Sequence, residues 1–136
     1  MSFEPATQGW RQMQGSAMPA GIGFPWAKRV GDTWHYGFLT TAEHANPQGI
    51  VHGGILMTFA DHGLSMLAWE AAKRAPSTTI QLNTHFLAPV VPGDFVELGG
   101  DVTRATQGLV FVRGILSVGN RHVAAVDGIW RVLRTA

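Results

Sequence analysis

The feature of this sequence that most constrains its fold is the stretch 52–74, which contains no proline and is rich in Leu, Met and Ala. These residue types favour a helix, and Lys73 and Arg74 followed by Pro76 are typical of a helix C-terminus. We therefore predict one helix of about six turns. Asp61 lies near its middle among mostly apolar residues, where an unpaired carboxylate is costly to bury.

Extended segments are predicted on both sides of this helix. Before it, aromatic residues alternate over 34–40 and indicate a strand, and the next segment, 43–49, is a loop because it contains Asn-Pro and Gly. After the helix, four apolar or alternating stretches separated by turn residues indicate an antiparallel meander. These four strands are predicted near 77–88, 94–105, 108–119 and 121–133.

This order of elements predicts a single α+β domain over 1–136. One antiparallel sheet is expected to wrap around the one long central helix, so that each buries the apolar face of the other. Residues 1–20 are expected to form an N-terminal arm that covers the domain, with a short helix around 6–13.

Composition narrows the classes of function. The net charge is +1, only 14% of the residues are charged and the basic residues are scattered, so no nucleic-acid partner is expected. The N-terminus lacks the pattern of a signal peptide, and charged residues interrupt the longest apolar tract. We therefore expect a cytoplasmic protein without a membrane span. The sequence has no cysteine, which excludes disulfides and thiolate metal ligands.

The start of the predicted helix, His52-Gly53-Gly54, is a candidate oxyanion site. Helix N-termini present unpaired N–H groups, and Gly53 allows a ligand to approach the backbone closely. Gly53 and Asp61 are eight residues apart, or about 12 Å along one helix. If both act on one carbonyl, two antiparallel copies of the helix must lie side by side. The spacing then predicts a homodimer with two composite sites.

The same residues resemble a known family. Asn46, His52, Gly53 and Asp61, with Thr79 eighteen residues after Asp61, occur at the spacing of the hotdog-fold acyl-CoA thioesterases of the phenylacetate-degradation (PaaI-like) type. The resemblance covers most of the chain. It implies hydrolysis of an acyl-CoA to the free acid and coenzyme A, with coenzyme A as part of the substrate and no other cofactor. It also favours a dimer of dimers, a homotetramer.

The resemblance implies a role for each of these residues. Asp61 would be the nucleophile or the general base, and the N–H of Gly53 would polarise the thioester carbonyl. Asn46 and His52 would contact the thioester region. A Ser or Thr at position 79 would help to place water, and because Thr78 is adjacent, either threonine could face the site.

Two expectations concern the surroundings of Asp61. Its neighbours on the helix surface include Gly54, Thr58 and Ser65, small residues that would leave a substrate-binding groove beside the carboxylate. In the strand after the helix, Thr79 alternates with apolar residues, which predicts that Thr79 faces away from the core. It would then line a site only if this strand lies at the subunit junction, as the family resemblance implies.

Other functions stay open at this point. A non-catalytic acyl-CoA-binding protein on the same fold would keep the groove without needing an ionised carboxylate. A hotdog hydratase or dehydratase would share Asn46-Pro47, but the Asp-x-x-x-x-His pairing of that group is not seen. No metal site is expected, because no two histidines show a ligand spacing such as H-x-x-x-H. The acyl group is equally open between aromatic and medium-chain.

Overall fold

The computed structural model describes residues 2–14, 18–19 and 22–133. In this part of the chain, one long helix packs against a seven-stranded antiparallel sheet. The predicted α+β architecture is confirmed. The elements in chain order are β1 Arg11–Gln12, β2 Trp26–Val30, β3 Thr33–Leu39, α1 Gly53–Ala71, β4 Ser77–Phe86, β5 Phe95–Ala105, β6 Leu109–Val118 and β7 Arg121–Val132.

The strands lie side by side in the order β1-β2-β3-β5-β6-β7-β4, and all neighbouring pairs are antiparallel. Strands β5, β6 and β7 form a meander as predicted, but β4 does not continue it. Instead, α1 carries the chain from β3 to the far edge of the sheet, where β4 pairs with β7. Consequently β4 has one side without a partner strand in the described part of the chain.

An apolar stripe along α1 faces the sheet, with the spacing of three to four residues that a helix packed on one side requires. The sheet contributes large buried side chains opposite this stripe, among them Phe38 and Trp130. A Cβ at Gly63 would collide with the buried side chain of Leu98, so glycine here allows the helix to approach the sheet closely. The stripe consists of Leu56, Phe59, Ala60, Gly63, Leu64, Leu67 and Ala68.

The observed helix boundaries and the N-terminal arm differ from the prediction. α1 ends at Ala71 rather than near residue 74, because Lys73 and Arg74 adopt positive φ angles of 56° and 65°. In place of the predicted helix around 6–13, a 3₁₀ turn at Pro5–Gln8 ends at Gly9, whose φ of 88° breaks the helical path, and β1 follows. Residues 1, 15–17 and 20 of the predicted arm lie outside the described residues.

Candidate active site

A β-bulge in β4 turns Thr79 toward the helix. Thr79 lies opposite Trp130 of β7 and Gln81 lies opposite Ile129, so Ile80 is an extra residue without a partner in β7. An extra residue reverses the alternation of side chains along a strand. Thr79 therefore lies on the inner face of the sheet, against α1. The prediction that it faces away from the core is wrong, because a strict alternation does not include the bulge.

Asp61 and Thr79 form a hydrogen-bonded pair between α1 and β4. The hydroxyl of Thr79 donates to Oδ1 of Asp61 at 2.6 Å, and both side chains are partly buried. Thr78 is exposed and lies opposite Arg131. Of the two adjacent threonines, it is therefore Thr79 that reaches Asp61. Its hydrogen bond engages one carboxylate oxygen and fixes the direction of the other.

The small residues beside Asp61 differ in what their side chains do. Ser65 Oγ accepts a hydrogen bond from the indole N–H of the buried Trp130 at 2.8 Å. The hydroxyl of Thr58 donates to the carbonyl oxygen of Gly54 at 3.0 Å. Gly54 is exposed, and a Cβ built on it would meet no atom within 4 Å. Both hydroxyls are thus engaged within the protein, whereas Gly54 borders open space.

The N-terminus of α1 is not capped by a side chain. His52 occupies the N-cap position, and its side chain makes no capping hydrogen bond. Its backbone N–H donates to the carbonyl of His44 at 2.9 Å. The N–H groups of Gly53 and Gly54 have no acceptor among the described residues. Two donors at the positive end of the helix dipole are therefore available to an anionic oxygen.

Asn46 shapes the loop that leads into this helix. Its Oδ1 accepts hydrogen bonds from the backbone N–H groups of Gln48 and Ile50 at 3.0 and 3.1 Å. Its own N–H donates to the carbonyl of Ile50 at 2.8 Å, and Gly49, with a φ of 80°, completes the turn. Because the side-chain oxygen is engaged in the loop, it is the amide nitrogen that Asn46 can offer to a ligand.

His44 anchors the same loop, a role that the sequence pattern did not assign. It is 3% exposed, and its Nδ1 accepts a hydrogen bond from the N–H of Thr41 at 2.9 Å. Its carbonyl accepts the N–H of His52, which ties the start of the loop to its end. The spacing Thr41-x-x-His44 is that of a capping box with histidine in the last position. This spacing is the sequence feature from which the role of His44 can be predicted.

A groove of about 430 Å³ runs beside the N-terminus of α1. Asn46 and Gly53 both line it, together with Phe86 and Leu87 at the end of β4. A Cβ on Gly53 would lie 2.9 Å from the tip of the half-exposed Phe86 ring, so the ring lies close against the backbone of Gly53 and would have to shift slightly to admit a larger residue. The sequence pattern did not predict that Phe86 lines this groove. The alternation along β4 indicates only that Phe86 belongs to an apolar strand face.

The predicted site residues therefore fall into two groups within one chain. The N-terminal half-site comprises Asn46, His52 and Gly53 at the start of α1. The carboxylate half-site comprises Asp61 and Thr79, about 12 Å further along the helix. Neither member of the carboxylate half-site lines the groove at the N-terminal half-site.

Exposed apolar side chains accompany the free edge of β4. A row of large apolar residues on an unpaired edge strand is typical of an interaction surface. The edge connects the two half-sites, since Phe86 packs against Gly53 and Thr79 binds Asp61. The exposed residues are Ile80 and Phe86 on β4, Leu87 just after it, and Ile50 in the loop across the groove, with exposed fractions between 37% and 56%.

The chemistry available here is that of acyl transfer. The carboxylate half-site offers a base or nucleophile, and the N-terminal half-site offers donors for a developing oxyanion. Within residues 2–14, 18–19 and 22–133, no group of three His, Asp or Glu side chains is placed to hold a metal ion. In the same ranges no helix has the length and apolar character needed to cross a membrane.

Comparison with known proteins identifies the family. The model of the thioesterase superfamily matches residues 48–125, which is more than half of the chain and includes Gly53, Asp61 and Thr79. The chain belongs to the thioesterase superfamily. It therefore has the hotdog fold that the sequence resemblance implied, and it is a thioester hydrolase.

The chain is also similar to individual proteins, one in sequence and two in fold. The chain is 32% identical over 91 residues to PA0474 of Pseudomonas aeruginosa, a protein that carries an esterase name, and the match covers 66% of this chain and 68% of the relative. It is similar in fold to PaaI from the phenylacetic acid degradation operon of E. coli, with a TM-score of 0.68, 17% identity, and coverage of 76% and 74%. It is also similar to BH2602 of Bacillus halodurans, solved with CoA, with a TM-score of 0.67, 22% identity, and coverage of 81% and 74%.

Proposed function

We propose that this thioesterase hydrolyses acyl-CoA thioesters to the free acid and coenzyme A, with Asp61 as the catalytic carboxylate. The observation that carries the proposal is the partly buried Asp61 carboxylate, held by the Thr79 hydroxyl at 2.6 Å in a chain of this superfamily. A CoA thioester as substrate is supported by two proteins of similar fold, PaaI from a phenylacetic acid degradation operon and BH2602, which was solved with CoA.

The free edge of β4 supports a homodimer with composite sites. If two copies pair antiparallel along β4, with the two-fold axis between Leu82 and Asn83, Thr79 of one subunit lies near Phe86 of the partner subunit. Because Phe86 packs against Gly53, each carboxylate half-site then meets the N-terminal half-site of the other subunit. The same pairing would cover the exposed apolar residues of the edge, which are otherwise unfavourable in water.

Two mechanisms use these groups. As a nucleophile, Asp61 attacks the thioester carbon, the C–S bond breaks, coenzyme A leaves as a thiolate, and water then hydrolyses the mixed anhydride. As a general base, Asp61 takes a proton from a water molecule that attacks the same carbon, the C–S bond breaks, and coenzyme A leaves as a thiolate that takes up the proton. In either case the carbonyl oxygen becomes negative, and the N–H of Gly53 stabilises it. A thioester lacks amide resonance, so one carboxylate and one polarising donor suffice.

The remaining assignments come from two sources. By family resemblance, Asn46 and His52 would contact the thioester region. By their positions beside Asp61 on α1, Gly54, Thr58 and Ser65 would border the substrate. Two dimers would assemble into a homotetramer. The cytoplasmic location expected from the sequence stays part of this proposal.

Replacement of the catalytic carboxylate tests the proposal. We expect Asp61→Asn to lower kcat by about two orders of magnitude or more while the fold is retained. The assay is thiol release from benzoyl-CoA, phenylacetyl-CoA and hexanoyl-CoA, with circular dichroism to monitor the fold. Asp101→Asn is the matched control, because Asp101 is an exposed carboxylate that binds Arg113 at 3.3 Å outside both half-sites.

Two outcomes would contradict the proposal. If Asp61→Asn hydrolyses the thioesters as fast as Asp101→Asn, Asp61 is not the catalytic carboxylate. If the wild-type protein binds these CoA thioesters in equilibrium dialysis but hydrolyses none of them, it is an acyl-CoA-binding protein rather than an acyl-CoA hydrolase.

A further inference from the structure

A second cavity lies between the first three strands and the C-terminal part of α1, with a volume of about 290 Å³. On the sheet side, one row of residues crosses it: Arg11 of β1 lies opposite Ala27 of β2, and Ala27 lies opposite Tyr36 of β3. Neighbouring strands are about 4.8 Å apart, so Arg11 and Tyr36 are separated by about 10 Å. Because the residue between them, Ala27, has a small side chain, a gap remains between this part of the sheet and the helix.

The helix forms the opposite wall of this cavity with Met66 and Glu70, and Arg74 follows just after the helix. Glu70 and Asp61 are nine residues apart, which corresponds to about 180° around the helix axis and about 13 Å along it. The cavity therefore lies on the side of α1 that faces away from the carboxylate half-site. No residue of either half-site lines it.

The hydroxyl of Tyr36 is the most informative group in the cavity. Tyr36 is 2% exposed, it lines the cavity, and its hydroxyl has no hydrogen-bond partner among the described residues. Burial, followed by the nearby Glu70 carboxylate, raises the pKa of Tyr36 to about 12, so the hydroxyl stays protonated and can donate. In the described part of the chain the one fully buried polar side-chain atom without a partner is Thr84 Oγ1, so the Tyr36 hydroxyl is open to the cavity and can donate to a ligand there.

The charges and the apolar walls define what kind of ligand fits. Arg74 lies 3.5 Å from Glu70, whereas Arg11 has no acidic partner in the described part of the chain. Two guanidinium groups and one carboxylate leave the cavity with a net positive charge, which favours an anion. The ring of Trp34 and the thioether of Met66 also line the cavity, and both make favourable contacts with an aromatic ring.

We propose that this cavity binds a small aromatic monocarboxylate. The carboxylate lies between the Arg11 guanidinium and the Tyr36 hydroxyl, and the ring packs against Trp34 and Met66. The volume of about 290 Å³ accommodates one ring with its carboxylate. Such a ligand would bind without occupying the proposed hydrolytic site, because Asp61 is on the opposite side of the helix.

Titration calorimetry with benzoate tests this site, and benzamide serves as the neutral ligand of the same shape. We expect wild-type protein to bind benzoate and to bind benzamide at least about tenfold more weakly, since only benzoate carries the charge. Tyr36→Phe should weaken benzoate binding by about tenfold through the loss of one charge-assisted hydrogen bond. It should leave the melting temperature unchanged, because the hydroxyl has no hydrogen-bond partner among residues 2–14, 18–19 and 22–133.

Two further variants locate the binding site. Ala27→Leu should abolish benzoate binding by filling the gap in the row, and Asp61→Asn should leave the affinity unchanged. The proposal is overturned if wild-type protein fails to bind benzoate at about 10 mM, or if Tyr36→Phe binds it as tightly as wild type. It is equally overturned if the affinity is lost in Asp61→Asn and kept in Tyr36→Phe, because benzoate would then occupy the hydrolytic site.

Discussion

Asp61 lies in a mostly apolar helix, and the group that stabilises its carboxylate comes from a different element of the fold. The Thr79 hydroxyl of β4 donates to it at 2.6 Å. A hydrogen bond to a charged group contributes about 1.5–3 kcal/mol, enough to offset part of the cost of burying the carboxylate. The same bond restricts the rotation of the side chain. Thr79 is therefore a positioning residue in the proposed mechanism.

Replacing Thr79 by Val, which has nearly the same shape, isolates the contribution of the hydroxyl. We expect Thr79→Val to lower kcat about tenfold with a smaller change in KM, because the carboxylate loses its orientation while substrate binding is retained. Thr79→Ser keeps the hydroxyl and should keep most of the activity. Steady-state kinetics with one CoA thioester measures both variants. Equal kcat values for wild type and Thr79→Val would show that the hydrogen bond has no part in catalysis.

His62, adjacent to Asp61, gives the fold a dependence on pH. Burial lowers the pKa of His62 below its ordinary value of 6.5, and the charge of Asp61 partly opposes the shift. The unfolded chain therefore binds a proton at this residue more readily than the folded protein does. The stabilising contribution of the neutral ring is complete above pH 6.5 and is lost as the pH falls through the lowered pKa.

We expect the free energy of unfolding to fall when the pH is lowered from 7 to 5, and to fall less in His62→Gln, which cannot be protonated in this range. Urea denaturation of both proteins at several pH values measures this difference. His122→Gln is the control, because His122 is exposed. Identical pH profiles of wild type and His62→Gln would contradict the assignment.

At the scale of elements, the β-bulge at Ile80 determines which face of β4 reaches the helix. The bulge is accommodated by Gly128 on β7, where an added Cβ would lie 2.6 Å from the carbonyl oxygen of Gln81 and 2.7 Å from the ring of Trp130. The absence of a side chain at Gly128 therefore allows the bulged backbone to approach. The position of Thr79 thus depends on a glycine of the neighbouring strand.

Gly128→Ala tests this dependence. We expect it to lower the free energy of unfolding by about 1–3 kcal/mol, because a methyl group is forced against the backbone of a neighbouring strand. We also expect a lower kcat, since displacement of β4 moves Thr79 away from Asp61. Gly108→Ala is the control, because a Cβ there meets no atom within 4 Å. If both variants melt at the same temperature, Gly128 does not support the bulge.

The sequence predicted those elements whose periodicity is local. The observed helix and the strands β5, β6 and β7 agree with the predicted ranges within about three residues, because hydrophobic alternation and turn residues are read directly from neighbouring positions. The bulge at Ile80 and the pairing of β4 with β7 were not predicted. Both depend on residues about 50 positions away in the sequence, such as Gly128 and Trp130, and a local pattern does not contain that contact.

The same distinction holds for the site. The spacing of Gly53 and Asp61 predicted that the two lie apart on one helix, and the structure places them in separate half-sites. The family resemblance placed Thr79 in the site, as a residue that helps to place water, but did not predict its hydrogen bond to Asp61, and alternation alone placed Thr79 on the wrong face. The packing of Phe86 against Gly53 was missed, because it follows from how β4 crosses the start of the helix.

At the scale of the whole molecule, the two half-sites make one subunit incomplete in the proposed mechanism. The donors of the N-terminal half-site lie about 12 Å from Asp61 along α1. This distance is too long for both groups to contact the same carbonyl group. The edge of β4 joins the half-sites and carries Ile80 and Phe86, which are 54% and 51% exposed. A second copy on this edge would both cover these side chains and complete two active sites.

A subunit complementation experiment distinguishes an active site shared between two subunits from an active site formed within one chain. Gly53→Pro removes the N–H of the first helical residue, a position where proline is tolerated, and the ψ of 135° at His52 suits a following proline. Gly53→Ala is its control, because it adds a Cβ against Phe86 but keeps the N–H. We expect Gly53→Pro and Asp61→Asn each to be nearly inactive alone, and Gly53→Ala to be more active than Gly53→Pro.

A mixed dimer of Gly53→Pro and Asp61→Asn subunits would contain one intact site, formed by Asp61 of the first subunit and Gly53 of the second. After equimolar refolding, half of the dimers are mixed, so thiol release should recover to roughly a quarter of the wild-type rate. Co-expression with two different affinity tags isolates the mixed dimer and should give roughly half. A mixture that stays as inactive as its components, although mixed dimers are purified, would show that both groups act within a single chain.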